Sequence, residues 1–212
     1  GDIQAGPLPV VDVLRLGKQY EELGPYCIAT VDKARSILLY SKSSIEDSSG
    51  TEIGVTHETS TSRKLLEVLL TYRFGVCQAN YVGLHDQNNA FLLIGDSALK
   101  YRHGVDGYPF MYDLGEEWTN WTGLPFVFAQ WIIDTSVDKV LSEHLRDVIF
   151  ECMENGLANM NGIYRLRYDM GMELSEIEDY YSSFNFQVGV LERKAISLFN
   201  SYLTSIAAGK KG

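Results

Sequence analysis

Residues 59–62 read TSTS, four hydroxyl side chains in a row, and a helical run, RKLLEVLLTYRFG, follows at once. Hydroxyls and the unpaired backbone N–H groups of a helix start together make an anion site, suited to a carboxylate or a phosphate. The same residues, Thr59, Ser60, Thr61 and Ser62, serve equally well as helix caps. A second candidate is Asp96 in LIGDSAL, at the carboxyl end of a strand, where ligand crevices open in α/β sheets. An aspartate in that place also forms turns and caps helices. The four histidines, His57, His85, His103 and His144, lack metal-ligand spacing, and each reads as a surface or loop residue. No glycine-rich phosphate loop, G-x-S-x-G elbow or Cys–His signature is present, which argues against nucleotide binding and the common nucleophile chemistries.

The elements that must position these residues follow from periodicity and punctuation. Segment 3–14 reads as a short strand, a turn at Pro7–Pro9 and a helix start in VVDVLRL. CIAT and SILLYSK (36–42) are strand-like, rich in β-branched and large apolar residues. SSIEDSSGT is a polar linker, EIGVT a short strand, and the helix after TSTS closes at Gly75. NAFLLIGDSAL is a strand that turns into a short helix. GEEW (115–118), with Trp118, Trp121 and Trp131, reads as turn and packing residues. GLPFVFAQW (123–131) is too short for a membrane span and richer in apolar residues than a half-exposed strand needs. It reads as a central strand covered on both faces. From Val137 to about Arg167 the pattern is helical, with Val140, Leu141, Leu145, Val148, Ile149 and Cys152 on one face. LSEIEDYYSSF follows the loop at Gly171, FNFQVG is a brief strand, and VLERKAISLFNSYL is a final amphipathic helix. Strands alternating with helices define an α/β class with mainly parallel sheets.

Composition narrows the function classes. At 212 residues, with 45% hydrophobic and 22% charged residues, the chain can bury a core as one domain or two lobes. Its net charge of −10 argues against nucleic acid or an anionic membrane as partner. Lys210 and Lys211 read as a solvated end. Cys27, Cys77 and Cys152 form no C-x-x-C pair and read as buried free thiols of a reducing compartment. With no apolar run near ~20 residues and no signal peptide in view, a cytoplasmic location is expected. The opening GDIQAGPLPVV reads as a strand already under way, as though sequence preceded it.

Four stretches in order, TSRKLLEVLLTYRFGV, LLIGDSAL, YDLGEEWTNWTGLPFVFAQW and FNFQVG, resemble the chorismate dehydratase family of the futalosine route to menaquinone. The likeness runs over most of the chain. It implies a two-lobed, periplasmic-binding-protein-like (type II) α/β fold with mixed, mainly parallel sheets. Residues 1–37 would form lobe one with its N-terminal part incomplete, 38–121 lobe two, and 122–212 the return strand and helices of lobe one. Chain crossings are expected at about 28–38 and 122–131, so GLPFVFAQW becomes the returning hinge strand. The implied activity is a hydro-lyase reaction, chorismate to 3-[(1-carboxyvinyl)oxy]benzoate, with no metal and no organic cofactor. The implied partner is a small-molecule carboxylate, without nucleic acid or membrane, for a monomer or homodimer. Ser36 matches a family serine and becomes a candidate carboxylate donor; Ser60, Thr61 and Ser62 become carboxylate holders, and Gly95 and Asp96 line the cleft. The resemblance names no proton-abstracting group. Asp32, Lys33 and Ala34 stand where the family has Gly-Pro-Val, Pro9 replaces a hydroxyl residue, and the family's first strand and polar loop are missing ahead of Gly1. A non-catalytic binding protein of the same fold, for a small carboxylate, is the alternative.

Overall fold

Two sheets divide the chain, and the computed structural model describes residues 3–47, 49–56, 60–76 and 79–209. In chain order its elements begin with β1 (Ala5–Pro9), α1 (Val10–Val13), β2 (Tyr20–Thr30), β3 (Ile37–Ser41), β4 (Glu52–Val55) and α2 (Ser60–Val68). There follow β5 (Asn80–Gly83), β6 (Ala90–Ile94), α3 (Asp96–Lys100), β7 (Phe110–Asp113), α4 (Leu114–Thr122) and β8 (Phe126–Asp134). The last third holds α5 (Lys139–Ala158), α6 (Met160–Leu166), α7 (Leu174–Ser182), β9 (Phe184–Gln187) and α8 (Val190–Gly209). The first sheet has the order β1-β8-β2-β9 and the second β5-β4-β6-β3-β7.

The expected predominance of parallel pairing does not hold. Every pairing in the first sheet is antiparallel, and so are both pairings of β3 in the second. Only β4 runs parallel to its neighbours, β5 and β6. Continuous apolar strands suggested parallel sheets because both faces must be covered. Here helices cover both faces of strands that are nonetheless antiparallel: all five residues of β3 are buried.

Residues 126–131 of GLPFVFAQW open β8, an inner strand between β1 and β2, while 123–125 join it to α4. Pro7 and Pro9 lie in β1 and not in a turn. The Asp134 N–H donates to the Gln4 carbonyl at 2.7 Å, which sets residues 4, 6 and 8 facing β8. The two prolines therefore face outward on an edge strand, where a missing N–H removes no ladder bond.

One apolar cluster runs from the first sheet to the second, joining Val10, Val11 and Phe126 with Leu65, Leu69, Leu92, Trp118 and Phe199. Burying each such side chain contributes about 1.5–3 kcal/mol. Trp118 is its largest member, fully buried, with its indole N–H donating to the Pro125 carbonyl at 3.1 Å. Ring edges of Trp121, Phe126 and Phe199 surround it at centroid distances of 5.9, 5.2 and 5.9 Å. GEEW is thus the first half of α4, not a turn, and Gly123 (φ 69°) ends that helix in the left-handed conformation.

The long helical segment breaks at Asn159 into α5 and α6. The stripe assigned to the core is largely solvent-facing: Val140, Leu141 and Val148 are exposed, as is Cys152, and only Ile149 is buried. The helix touches β2 along a narrow line around Ile149 and Leu145, against Leu23 and Tyr26. Cys27 is buried as expected, and burial pushes its thiol up to about 12. Cys77, His57, Thr59, Lys210 and Lys211 lie outside the described residues.

Candidate functional site

The second sheet collects the residues singled out in the sequence along one edge. β6 ends at Ile94, paired with Ile37 at the start of antiparallel β3, so Ser36 and Gly95 are neighbours there. β7 ends at Asp113 beside Leu38, and β4, parallel to β6, delivers the chain to the start of α2 on the same side. This is the carboxyl-end edge of β4 and β6, where α/β sheets hold ligands.

Ser36 is 5% exposed. Its carbonyl accepts from the Gly95 N–H at 2.8 Å. Its hydroxyl accepts from the Tyr180 phenol of α7 at 3.0 Å and donates to the Ala34 carbonyl at 3.3 Å. Gly95 (φ 60°, ψ −135°) takes a conformation that glycine alone tolerates and turns β6 directly into α3. Asp96, 61% exposed at its side chain, pairs with the Arg167 guanidinium at 2.7 Å. The structure thus joins Ser36, Gly95 and Asp96 into one corner, covered by α7 and the segment after α6.

Ser60, Thr61 and Ser62 stand further along the edge and face α1. The Ser60 hydroxyl donates to the Asp12 carboxylate at 2.8 Å, and the Thr61 hydroxyl accepts from the Val11 N–H at 3.3 Å. Thr61 and Ser62 are 4% and 6% exposed. Among the described residues the hydroxyls of Ser60 and Thr61 bond to α1; Thr59, which precedes the helix, lies outside them. No hydrogen bond links the Ser36 corner to these hydroxyls among the described residues.

Between α3, β3, β7 and α7 lies a cavity of ≈ 380 Å³. Lys33, Arg35, Arg102 and His103 face Asp113, Glu116, Glu176 and Asp179 across it, with Tyr180 as part of the wall. Lys33 pairs with Glu116 at 2.8 Å, and that bond holds its ammonium above the usual lysine range. Burial raises the Tyr180 phenol, so the group stays a neutral donor to Ser36. Arg102 grips Glu176 through two bonds of 2.7 and 2.9 Å. With the Glu173 N–H as a further donor, these hold the Glu176 carboxyl down at about 2.

Asp113, also part of the cavity wall, holds the segment between β2 and β3. Its carboxylate accepts from the N–H groups of Ala34 (2.9 Å), Arg35 (2.5 Å), Gly115 (2.9 Å) and Glu116 (3.1 Å). Burial raises its carboxyl, and the four donors oppose that rise. Arg35 (φ 58°) has positive φ and is fixed by this clamp. A side chain at Gly115 would meet the Ala34 nitrogen at 2.8 Å, so the helix can approach the crossing this closely only through glycine. The motif DLGEEW is therefore a joint: Asp113 clamps, Leu114 and Trp118 enter the core, and Gly115 permits contact.

Sequence reasoning did not single out Tyr180, Asp113 or the cations at 33, 35 and 102. Tyr180 acts from 144 residues away, with no local signal. Asp113 carried one, since aspartate before a run of helix formers is an N-cap pattern. Among the described residues no group of three His, Cys, Asp or Glu side chains is placed to hold a metal ion, and no helix is long and apolar enough to cross a membrane.

Fold and edge together define a two-lobed, periplasmic-binding-protein-like α/β protein. Protein AF1704 of Archaeoglobus fulgidus superposes with a TM-score of 0.75 at 15% identity, over 98% of this chain and 80% of that one. An ABC transporter from Parabacteroides distasonis gives 0.61 at 10% identity (96% and 75% covered). The alkanesulfonate-binding protein SsuA from Xanthomonas axonopodis pv. citri, bound to MOPS, gives 0.56 at 12% (99% and 76%). At these identities the likeness is one of fold. The family model described as menaquinone biosynthesis matches residues 1–205, and the chain belongs to that family.

Proposed function

We propose that this protein is a chorismate dehydratase-type hydro-lyase of menaquinone biosynthesis, forming 3-[(1-carboxyvinyl)oxy]benzoate. The observation that carries the reading is the set of buried hydroxyls, Ser36, Thr61 and Ser62, along one sheet edge of a chain from the menaquinone-biosynthesis family. The reaction removes a hydroxyl from one ring carbon and a proton from its neighbour. Aromatisation supplies the driving force, so the protein's task is to orient a dicarboxylate and assist one proton transfer. Neutral hydroxyls and helix starts suit that task in an acidic chain, because they hold carboxylates without adding charge. Such a mechanism calls for no metal or organic cofactor. Ser36, Ser60, Thr61, Ser62, Gly95 and Asp96 are the proposed cleft residues, and the lobes would meet at the crossings at about 28–38 and 122–131. The enzyme would work in the cytoplasm, as a monomer or homodimer.

A second reading is supported by the engagement of these hydroxyls within the chain, by Tyr180 and Val11. A non-catalytic protein that binds a small carboxylate needs such a cleft without a base. Incubation with chorismate, followed by chromatography for the benzoate product, separates the two. Product formed in proportion to enzyme supports the lyase. Saturable binding of the product without turnover supports the binding protein.

A further inference from the structure

The cavity beside Tyr180 opens on the opposite face of the second sheet from α2 and its hydroxyls. Successive residues of a strand point to opposite faces. In β3, Leu39 belongs with Leu65 of α2 to the main core, while Leu38 lines the cavity. The space is therefore separate from the hydroxyl run, and its ≈ 380 Å³ falls in the range that small ligands fill. Leu38, Leu99, Met111 and Met172 give it an apolar lining, and the two thioethers can adapt to a bound shape.

Most of its charges are already matched in pairs. Glu116 holds Lys33 at 2.8 Å. Glu176 holds Arg102 at 2.7 and 2.9 Å, and that guanidinium also donates to the Leu99 and Gly171 carbonyls. His103 stands 3.5 Å from the same Glu176. Two opposite charges are left. The Arg35 guanidinium makes no hydrogen bond or ion pair among the described residues, and neither does the Asp179 carboxylate. Asp113 adds a buried acceptor: its Oδ1 takes three N–H groups and its Oδ2 only one, where a carboxylate oxygen can take two. Lys33 partly balances the Asp113 charge, which leaves Asp179 as the full counter-charge. The Tyr180 phenol is engaged by Ser36, so that residue contributes its ring to the wall.

An apolar space with one unmatched cation and one unmatched anion selects a dipolar ligand. A simple anion would meet Asp179 as a like charge, and a simple cation would meet Arg35. We propose that this cavity binds an α-amino acid with an apolar side chain. Arg35 takes its carboxylate, Asp179 and Asp113 take its ammonium, and the leucines and methionines take its side chain. The site lies beyond the cleft proposed above and does not depend on the reaction there.

Titration calorimetry on the full chain with L-leucine, L-methionine and L-phenylalanine tests it. At least one should bind saturably, and glycine, with the same charges and no side chain, should bind more weakly. The amide and the deaminated acid of the tightest binder should each bind roughly tenfold more weakly, the loss of one charge-assisted contact. Arg35→Gln should weaken the amino acid roughly tenfold and leave its amide unaffected, because the amide has no carboxylate to lose. Asp179→Asn should weaken the amino acid and not the deaminated acid. Lys194→Gln on exposed α8 should bind as the parent does. Melting temperatures of all variants confirm folding. The site is overturned if none of the three amino acids binds, if glycine binds as tightly as the best of them, or if a folded double variant of Arg35 and Asp179 binds unchanged. An equal loss in Lys194→Gln also overturns it. Competitive displacement by 3-hydroxybenzoate would place the amino acid in the cleft of Ser36 and Thr61 and overturn a separate site.

Discussion

Four backbone N–H groups converge on the Asp113 carboxylate, and three of them bond to the same oxygen. A buried donor left without an acceptor costs about 1–3 kcal/mol. Asp113→Ala should therefore destabilise the protein by about 3 kcal/mol in denaturant unfolding, some donors recovering water. A loss below ~1 kcal/mol would mean that the clamp is not what holds the crossing. Thr30 makes the opposite case nearby. Its hydroxyl is fully buried and has no hydrogen-bond partner among the described residues. Thr30→Val keeps the shape and removes the unpaired group, so it should raise stability by about 1 kcal/mol. Destabilisation on the same unfolding curve would reveal a partner for the hydroxyl, such as an ordered water.

Among the elements, α7 ties the two sheets together. It follows α5, which lies against the first sheet, yet with α6 it packs at α3 of the second, through Arg102–Glu176 and through Leu99 clustered with Ile163, Met170, Met172 and Ile177. The Glu176 carboxyl, ordinarily at 4.5, is held at about 2. A lowered carboxylate pKa stabilises the docked state fully above the ordinary value, and that contribution is lost as pH falls from 4.5 through 2. Amide exchange in α7 should therefore quicken relative to β8 across that window, and Glu176→Gln should show fast exchange already at neutral pH. Equal acid sensitivity of parent and variant would exclude Glu176 as the cause. The sequence shows this element but not its target. β8 was legible because nine residues of nearly unbroken apolar character have few other uses, and α2 because hydroxyls and Gly75 bracket a leucine repeat. β5 and β7 were not, being four residues each with exposed positions and no alternation. The α5 face misled because helical spacing reports where apolar residues lie, not whether anything covers them. At the site, Ser36 and the hydroxyl run were visible as residue types. The partners that hold them, Tyr180, Val11 and Asp12, come together only through tertiary packing.

At the scale of the molecule, a continuous apolar core is bordered by polar contacts between elements of the two sheets: Val11 with Thr61, Asp12 with Ser60, Tyr180 with Ser36. The hydroxyls proposed for substrate carboxylates are thus the ones that fasten the halves, and a ligand must exchange with those contacts. Thr61 separates the two roles. Thr61→Val preserves the side-chain shape but leaves the buried Val11 N–H without its acceptor, which should cost about 1–3 kcal/mol of stability. If the hydroxyl also holds a carboxylate, affinity for the benzoate product should fall tenfold or more, the equivalent of about 1.5–3 kcal/mol for one bond to a charged group. Thr61→Ser returns the oxygen and should restore both. Ser62, buried beside it, makes no hydrogen bond to α1 among the described residues, so Ser62→Ala should lower affinity with little change in melting temperature. Unchanged product affinity in both Thr61→Val and Ser62→Ala, measured on folded protein, would leave these hydroxyls as fasteners between the halves and remove them from the binding site.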